Sequence, residues 1–177
     1  MITNFKNQSG FTLIEMLIVI VVLGILAMII IPQITVSTED AKVSTLQTNL
    51  SGMRSAVETY YAQHDSTYPG RKKTAILDVG VDTIAGDAVA AFTTQLTQYT
   101  TAAGTVATSK DATFKYGPYI KGSALPKNPF TATNDVTLDI TTTNITTRVA
   151  DTGTKAWKFY AETGVLIAND TAAHALY

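Results

Sequence analysis

The strongest pattern in the chain is a long apolar run close to its N-terminus. Between Phe11 and Ile31 there are 21 residues, and the polar ones among them are Thr12 and Glu15. A helix of this length extends about 30 Å, which matches the hydrocarbon core of a bilayer. A helix that is apolar on every face is typical of a membrane span, because a soluble surface helix needs only one apolar face. We therefore predict a membrane-spanning half-helix over residues 11–36.

The pattern changes to a helical repeat after residue 36. Apolar residues now recur at steps of three and four, which places them on one face of a helix: Val43, Leu46, Leu50, Met53, Val57 and Tyr60. This predicts an amphipathic half-helix over residues 37–65 that needs a covering domain, with Tyr60 and Tyr61 as packing residues at its end. Pro32 lacks an N–H group, so we expect a kink there and not the end of the helix.

The remaining chain, residues 66–177, predicts a small α/β head. The Pro69-Gly70 pair is a turn signal, and residues from Asp87 to about Thr100 repeat at helical spacing with Asp87 as the cap. Residues 102–111 are small and polar and predict a loop. Residues 136–140 alternate as in a half-buried strand, and residues 156–168 predict a hairpin. The fold class is therefore α+β, a long N-terminal helix with a small antiparallel sheet packed on its amphipathic half.

Composition and charge exclude several function classes. The net charge is −1, and the single basic run, Arg71 to Lys73, is interpreted as a solvated loop, so we expect no nucleic-acid partner. The chain has no cysteine and two histidines, His64 and His174, which does not support a multi-histidine metal site. No nucleophile with a base and no phosphate-binding glycine pattern is present, so we predict no catalytic residue and no cofactor. Asp151 and Asp170 are interpreted as solvated loop charges.

Glu15 and the residues before it set this apolar run apart from a passive anchor. A carboxylate one turn into a membrane helix is costly, so it is a functional candidate by default, although its position also allows it to reach water at the interface. The first ten residues are polar and contain Lys6 and no acid. A secretory signal would place its small-residue cleavage site after the apolar run, whereas here Gly10 precedes it. Cleavage after Gly10 would leave a free amino group on Phe11, one turn from the carboxylate.

These residues resemble the type IV prepilin family, which includes type IV pilins and type II secretion pseudopilins. The leader ending in Gly10, the aromatic Phe11, the acid Glu15 and the later Pro32 stand where the family has them. The resemblance implies a leader peptide of residues 1–10, cleavage after Gly10 by a prepilin peptidase, and N-methylation of Phe11. It also implies that Glu15 recognises the terminus of a neighbouring subunit in a helical filament of identical chains.

The resemblance also implies a location and further partners. The subunit would be stored in the inner membrane with its leader in the cytoplasm, extracted at an inner-membrane assembly platform, and found as a filament in the periplasm or on the cell surface. The family resemblance suggests that residues 24–32 unwind during this transfer. Gly24 also has a simpler interpretation, as a residue that permits close helix packing.

Two kinds of filament remain open, a surface pilus and the pseudopilus of a type II secretion system. Residues 116–130 contain three prolines and two glycines, and the loop can be pinned onto the core by Tyr119, Ile120, Leu125 and Phe130. This stretch is similar to the head of the major pseudopilin. A third class is a single-pass protein whose outer domain binds a ligand. Glu15 beside the cleavage glycine argues against that class, because a passive anchor gains nothing from a buried acid.

Overall fold

The computed structural model describes residues 10–71, 85–151 and 155–177. Within its helices, residues 29–37 and 85–87 are described by backbone only. The expected leader, residues 1–10, therefore lies outside the described residues except for Gly10, and so does most of the basic run from Arg71 to Lys73. The chain divides into two compact units, Met1–Ala41 and Lys42–Tyr177, which are described separately below.

The first helix, α1, comprises Leu13–Gln63 and contributes to both units. It continues through Pro32, which confirms that the proline does not end the helix; the kink stays a prediction. Its end at Gln63 is where the apolar repeat of the sequence stops, because Asp65 and Ser66 adopt left-handed backbone angles, with φ near +54° and +53°.

In the first unit the apolar side chains of α1 are exposed. Each large hydrophobic residue from Phe11 to Met28 has between 46% and 84% of its surface accessible. Side chains 29–36 of the expected span lie outside the described residues. Among the residues that are described, no helical stretch is both long and apolar enough to cross a membrane.

In the second unit the apolar face of α1 lies in the core, as its spacing predicts. Five residues of that face are at most 1% exposed: Leu46, Leu50, Met53, Val57 and Tyr60. They pack in one cluster with residues of the sheet and of the second helix, including Phe92, Trp157 and Phe159. Burying apolar side chains of this size supplies most of the free energy that stabilises such a unit.

The main sheet has three strands in the order β3-β4-β5, namely Val136–Asp139, Trp157–Tyr160 and Val165–Ala168. Strands β4 and β5 form the expected antiparallel hairpin, with Gly164 at φ +73° in its turn. The expected wholly antiparallel sheet is wrong for β3, which pairs in parallel with β4. A parallel pair needs a long connection, and the chain between Asp139 and Trp157 is long enough to return to the same end of the sheet.

The second helix and a small sheet complete the head. Helix α2 comprises Ala85–Thr97, so Asp87 lies inside it and not at its N-cap as predicted. The helix ends earlier than predicted because Tyr99–Thr100 forms strand β1, which pairs with β2, Val106–Ala107, in what the sequence indicated as a loop. Residues 116–130 contain no helix and only one isolated bridge, as their prolines predict. Leu125 is 4% exposed there and joins the core, and Trp157 Nε1 donates to Pro126 O at 2.8 Å.

Candidate assembly site at the start of the first helix

Thr12 and Glu15 together cap the N-terminus of α1. Because the helix begins at Leu13, Thr12 is its N-cap and Glu15 is the third helical residue. The backbone N–H and the hydroxyl of Thr12 each donate to Glu15 Oε2 at 2.7 Å, and Glu15 N–H donates to Thr12 Oγ1 at 3.3 Å. This reciprocal arrangement is a capping box, which satisfies backbone donors that the start of a helix leaves without partners.

The capping box was not predicted, although its signal was present. A threonine followed three residues later by glutamate, before an apolar run, is the sequence signature of this motif. The sequence predicted a carboxylate that needs a cation as its partner, and the hydrogen bonds between Glu15 and Thr12 were not part of that prediction. In the described structure Oε2 accepts both hydrogen bonds, and Oε1 accepts none. The carboxylate can therefore cap its own helix and still accept a hydrogen bond from another group.

The predicted cleavage position lies just before this cap and is open. Gly10 and Phe11 precede the helix, and the Phe11 side chain is 81% exposed. A Cβ atom added at Gly10 would meet no atom within 4 Å. Gly10 and Phe11 are therefore exposed in the part of the chain that the structure describes, and a larger residue at position 10 would meet no atom of that part.

Comparison with known proteins addresses the same segment. The model of the prokaryotic N-terminal methylation motif matches residues 5–31, which include Gly10, Phe11, Glu15 and Gly24. The N-terminal segment is a prepilin methylation motif. The resemblance to type IV prepilins is thereby confirmed.

Curated relatives of this chain include a type II secretion system core protein and fimbrial proteins. It is 40% identical over 55 residues to the type II secretion system core protein G of Pseudomonas aeruginosa, covering 31% of this chain and 39% of the relative. It is 43% identical over 68 residues to a fimbrial protein of Neisseria meningitidis, covering 38% of this chain and 39% of the relative. The chain thus spans about two fifths of the length of these relatives. No solved structure matches it significantly.

Helix kinking or melting was predicted for two further residues, Gly24 inside the methylation motif and Pro32 directly after it. Gly24 lies inside α1, and an added Cβ atom there would meet nothing within 4 Å. The space around Gly24 is therefore not needed by any other part of the described chain. Pro32 lies among residues described by backbone only. Unwinding of this stretch stays a prediction for both residues.

In the head, the interpretation of Asp170 as a solvated loop charge is wrong. Its side chain is only 5% exposed and accepts a hydrogen bond from His174 Nδ1 at 2.5 Å. Asn128, which is fully buried, donates to its other carboxylate oxygen at 3.0 Å. Phe130 lies against the His174 ring. Asp170 thus ties the C-terminal segment to the 116–130 loop, and it was missed because its partners are distant in sequence or hidden by the loop conformation.

Asp151 is likewise paired and not merely solvated. Its carboxylate lies 2.5 Å from Lys158 Nζ, and Asn169 donates to its second oxygen at 3.3 Å. Partial burial alone would lower the pKa of Lys158, but the hydrogen bond to Asp151, together with the charge of Asp151 and the interaction with Tyr160, outweighs that effect and raises the pKa. The pair closes the loop that leads into β4. Among the described residues, no three histidine, cysteine or acidic side chains converge as a metal site.

The buried ring cluster at the end of α1 confirms the packing interpretation of the tyrosines. Tyr60 and His64 are fully buried and stack with their ring centroids 3.7 Å apart. His64 Nδ1 lies 2.8 Å from Tyr60 O and Nε2 lies 2.9 Å from Thr100 Oγ1. A carbonyl oxygen can only accept, so Nδ1 carries the proton in this arrangement. Tyr61 stacks on Tyr68. These rings hold the helix end against β1.

Proposed function

We propose that the chain is the structural subunit of a type IV-like filament, stored in the inner membrane and assembled through the first half of α1. The observation that carries the proposal is the methylation motif at residues 5–31, which begins just before an apolar half-helix whose side chains are exposed. An apolar surface of this extent needs a partner, either lipid or the same helix of other subunits. The proposal includes no enzymatic activity and no cofactor.

Processing is the first step of the proposed function. A prepilin peptidase cuts after Gly10 and methylates the amino group of Phe11, and both residues lie in the open backbone before the helix. Mass spectrometry of the mature protein should then find Phe11 as the N-methylated first residue. Gly10→Leu should block cleavage, and because the chain itself has room for the side chain, that block would reflect the peptidase. An intact Met1 in assembled filaments would contradict the proposal.

Assembly is the second step, and Glu15 is proposed to direct it. The methylated amino group of a neighbouring subunit is a cation, and Glu15 Oε1 accepts no hydrogen bond in the described structure. In a core of packed apolar helices an unpaired charge is strongly unfavourable, so pairing would select one axial register. Extraction from the membrane at an assembly platform and growth into the periplasm or beyond the cell surface complete the proposal.

The kind of filament is a separate question, which the relatives leave open and on which one loop of the head bears. Both a secretion core protein and fimbrial proteins are among the relatives, at similar identity. The 116–130 loop, packed onto the core through Leu125, favours a pseudopilin by its sequence resemblance. Electron microscopy of the native cell decides between them: long surface fibres that contain this chain indicate a pilus, whereas a secretion defect without such fibres indicates a pseudopilin.

A further inference from the structure

A cleft in the second unit brings two arginines together. It has a volume of about 360 Å³ and lies between Arg54 and Glu58 of α1, Arg148 in the loop before β4, and the hairpin turn from Thr163 to Leu166. This volume is large enough to admit a side chain from another molecule. The residues that surround it have no part in the processing steps above.

Arg54 is held rigidly on one side of the cleft. Its Nε and Nη2 atoms donate to Leu166 O at 3.0 and 2.8 Å, and Nη1 donates to the main-chain oxygen of Tyr177 at 2.8 Å. A guanidinium has five N–H donors, so two remain after these three hydrogen bonds. The backbone of the hairpin and of the C-terminal segment thus orients the cation without an acidic side chain as partner.

Arg148 supplies the second cation of the cleft. Its side chain is exposed and makes no hydrogen bond or ion pair in the described part of the chain. Burial lowers the pKa of Arg54, and the nearby charge of Arg148 lowers it further. Glu58 lines the same cleft but forms no ion pair with either arginine among the described residues. The cleft therefore has the chemistry to receive a carboxylate.

The chain itself supplies candidate carboxylates. Among the described acidic side chains, most are occupied in ion pairs or in caps of their own loops. Two acidic side chains outside the cleft are exposed and make no hydrogen bond or ion pair among the described residues, namely Asp40 on α1 and Asp65 just after it. The proposed filament contains many copies of one chain. Every subunit therefore carries both an arginine cleft and these two acids.

We propose that the cleft between Arg54 and Arg148 receives an exposed carboxylate, Asp40 or Asp65, from a second copy of this chain. This inference rests on the proposed function, since a filament brings the two copies together. A guanidinium that is already oriented loses little freedom when it pairs with a planar carboxylate, and two cations around one acid favour a single docking position. The contact would orient the heads, whereas the apolar helices hold the filament core.

The test compares charge reversals at matched exposed cations in the full chain, each variant being the sole subunit in the native cell. Arg148→Glu should lower the sheared filament fraction at least about tenfold, because like charges placed across an interface are strongly unfavourable. Arg148→Lys, which keeps the charge, should stay within about twofold of wild type, as expected for an exposed pair. Lys110→Glu makes the same change of net charge at an exposed cation outside the cleft and serves as the control.

Charge exchange then identifies the acid. Asp40→Arg or Asp65→Arg should impair assembly alone, and one of them should restore it when combined with Arg148→Glu. Equal filament loss in Arg148→Glu and Lys110→Glu, normal filaments in Arg148→Glu, or failure of both exchanges would overturn the inference. Trp157 fluorescence confirms that each variant head is folded. Absence of filaments from the wild-type chain would contradict the proposed function instead, so the two failures are distinguishable.

Discussion

The two halves of α1 use the same residue types in opposite ways. Leu23, in the first unit, is 58% exposed, whereas Leu50, in the second, is 1% exposed and surrounded by the core of the head. Both lie in one continuous helix. As far as its side chains are described, the first half is apolar and exposed, whereas the second has one apolar face that its own head covers. Under the proposed function, the first half obtains its packing from other molecules.

The largest effect is expected on filament assembly, from substitutions of Glu15 in the exposed half of α1. Glu15→Val and Glu15→Gln, each as the only subunit, should both abolish filaments while leaving the head folded. Glutamine can replace glutamate in a capping box but carries no charge, so this variant separates the helix cap from the proposed ion pair. The sheared filament fraction and the membrane content of subunit are measured by immunoblot. Normal filaments from Glu15→Gln would show that the cap, not the charge, is what assembly needs.

The next largest effect is expected on the free energy of unfolding when leucine is replaced by alanine in each half of α1. Leu50→Ala should lower the free energy of unfolding of the head by about 2–5 kcal/mol, because it leaves a cavity in the core. Leu23→Ala removes the same atoms from an exposed position and should change the free energy of unfolding by less than about 0.5 kcal/mol. Denaturant titration of the full chain in detergent, followed by the fluorescence of Trp157, reports the head in both cases. Similar losses for the two variants would contradict the division of the helix.

A smaller effect is expected on the pH dependence of the head's stability, through Asp139 at the end of β3. Partial burial would raise the pKa of Asp139, but hydrogen bonds from Thr141 and Thr142 outweigh it and lower the pKa to about 2. A lowered pKa in the folded state means that the ionised carboxylate stabilises the head above its unfolded pKa, and that this contribution is lost as the pH falls from about 4 to about 2. Asp139→Asn should therefore show a shallower loss of stability over this range than wild type.

The control for this prediction lies in the other unit. Asp40→Asn removes an exposed carboxylate that makes no hydrogen bond in the described chain, so it should leave the acid slope of the head unchanged. Thermal unfolding at a series of pH values, again followed by Trp157 fluorescence, measures the slope. A slope unchanged by Asp139→Asn would mean that the threonine hydrogen bonds do not stabilise the folded head.

The smallest effect is expected from removing the exposed half altogether. A variant that begins at Thr38 retains the whole of the second unit, Lys42–Tyr177. Its free energy of unfolding should lie within about 0.5 kcal/mol of that of the full chain, as is usual for changes away from a core. It should also be monomeric, which sedimentation velocity can check. Aggregation, or the absence of a cooperative transition, would show that the head depends on the first half of α1.

The sequence predicted the features whose signal is local and periodic. The apolar face from Leu46 to Tyr60 and the hairpin of β4 and β5 appear where their spacing indicated, because core-facing residues must repeat with the period of their element. The parallel pairing of β3 was not predicted, since alternation in a strand carries no information about the direction of its neighbour. Strands β1 and β2 have two residues each, too few for a pattern.

The functional residues also fall into those with a local sequence signal and those that depend on distant parts of the chain. Gly10, Phe11 and Glu15 were proposed because their types and spacing form a motif within a few residues, and their roles stay predictions. The pairs Asp170–His174 and Asp151–Lys158 are also close in sequence, but their geometry depends on Asn128 and Asn169, which the fold brings in from elsewhere. The arginine cleft joins α1 to a loop and a turn about a hundred residues later. Such contacts have no local signature.

The way the C-terminal segment is fastened has a consequence for where the head can fold. The chain has no cysteine, and the segment is held by Arg54 donating to Tyr177, by the Asp170–His174 pair and by Asn128. None of these links needs an oxidant or an oxidoreductase to form. The head can therefore reach its native state equally well in reducing and oxidising surroundings, and dithiothreitol should leave its thermal midpoint unchanged.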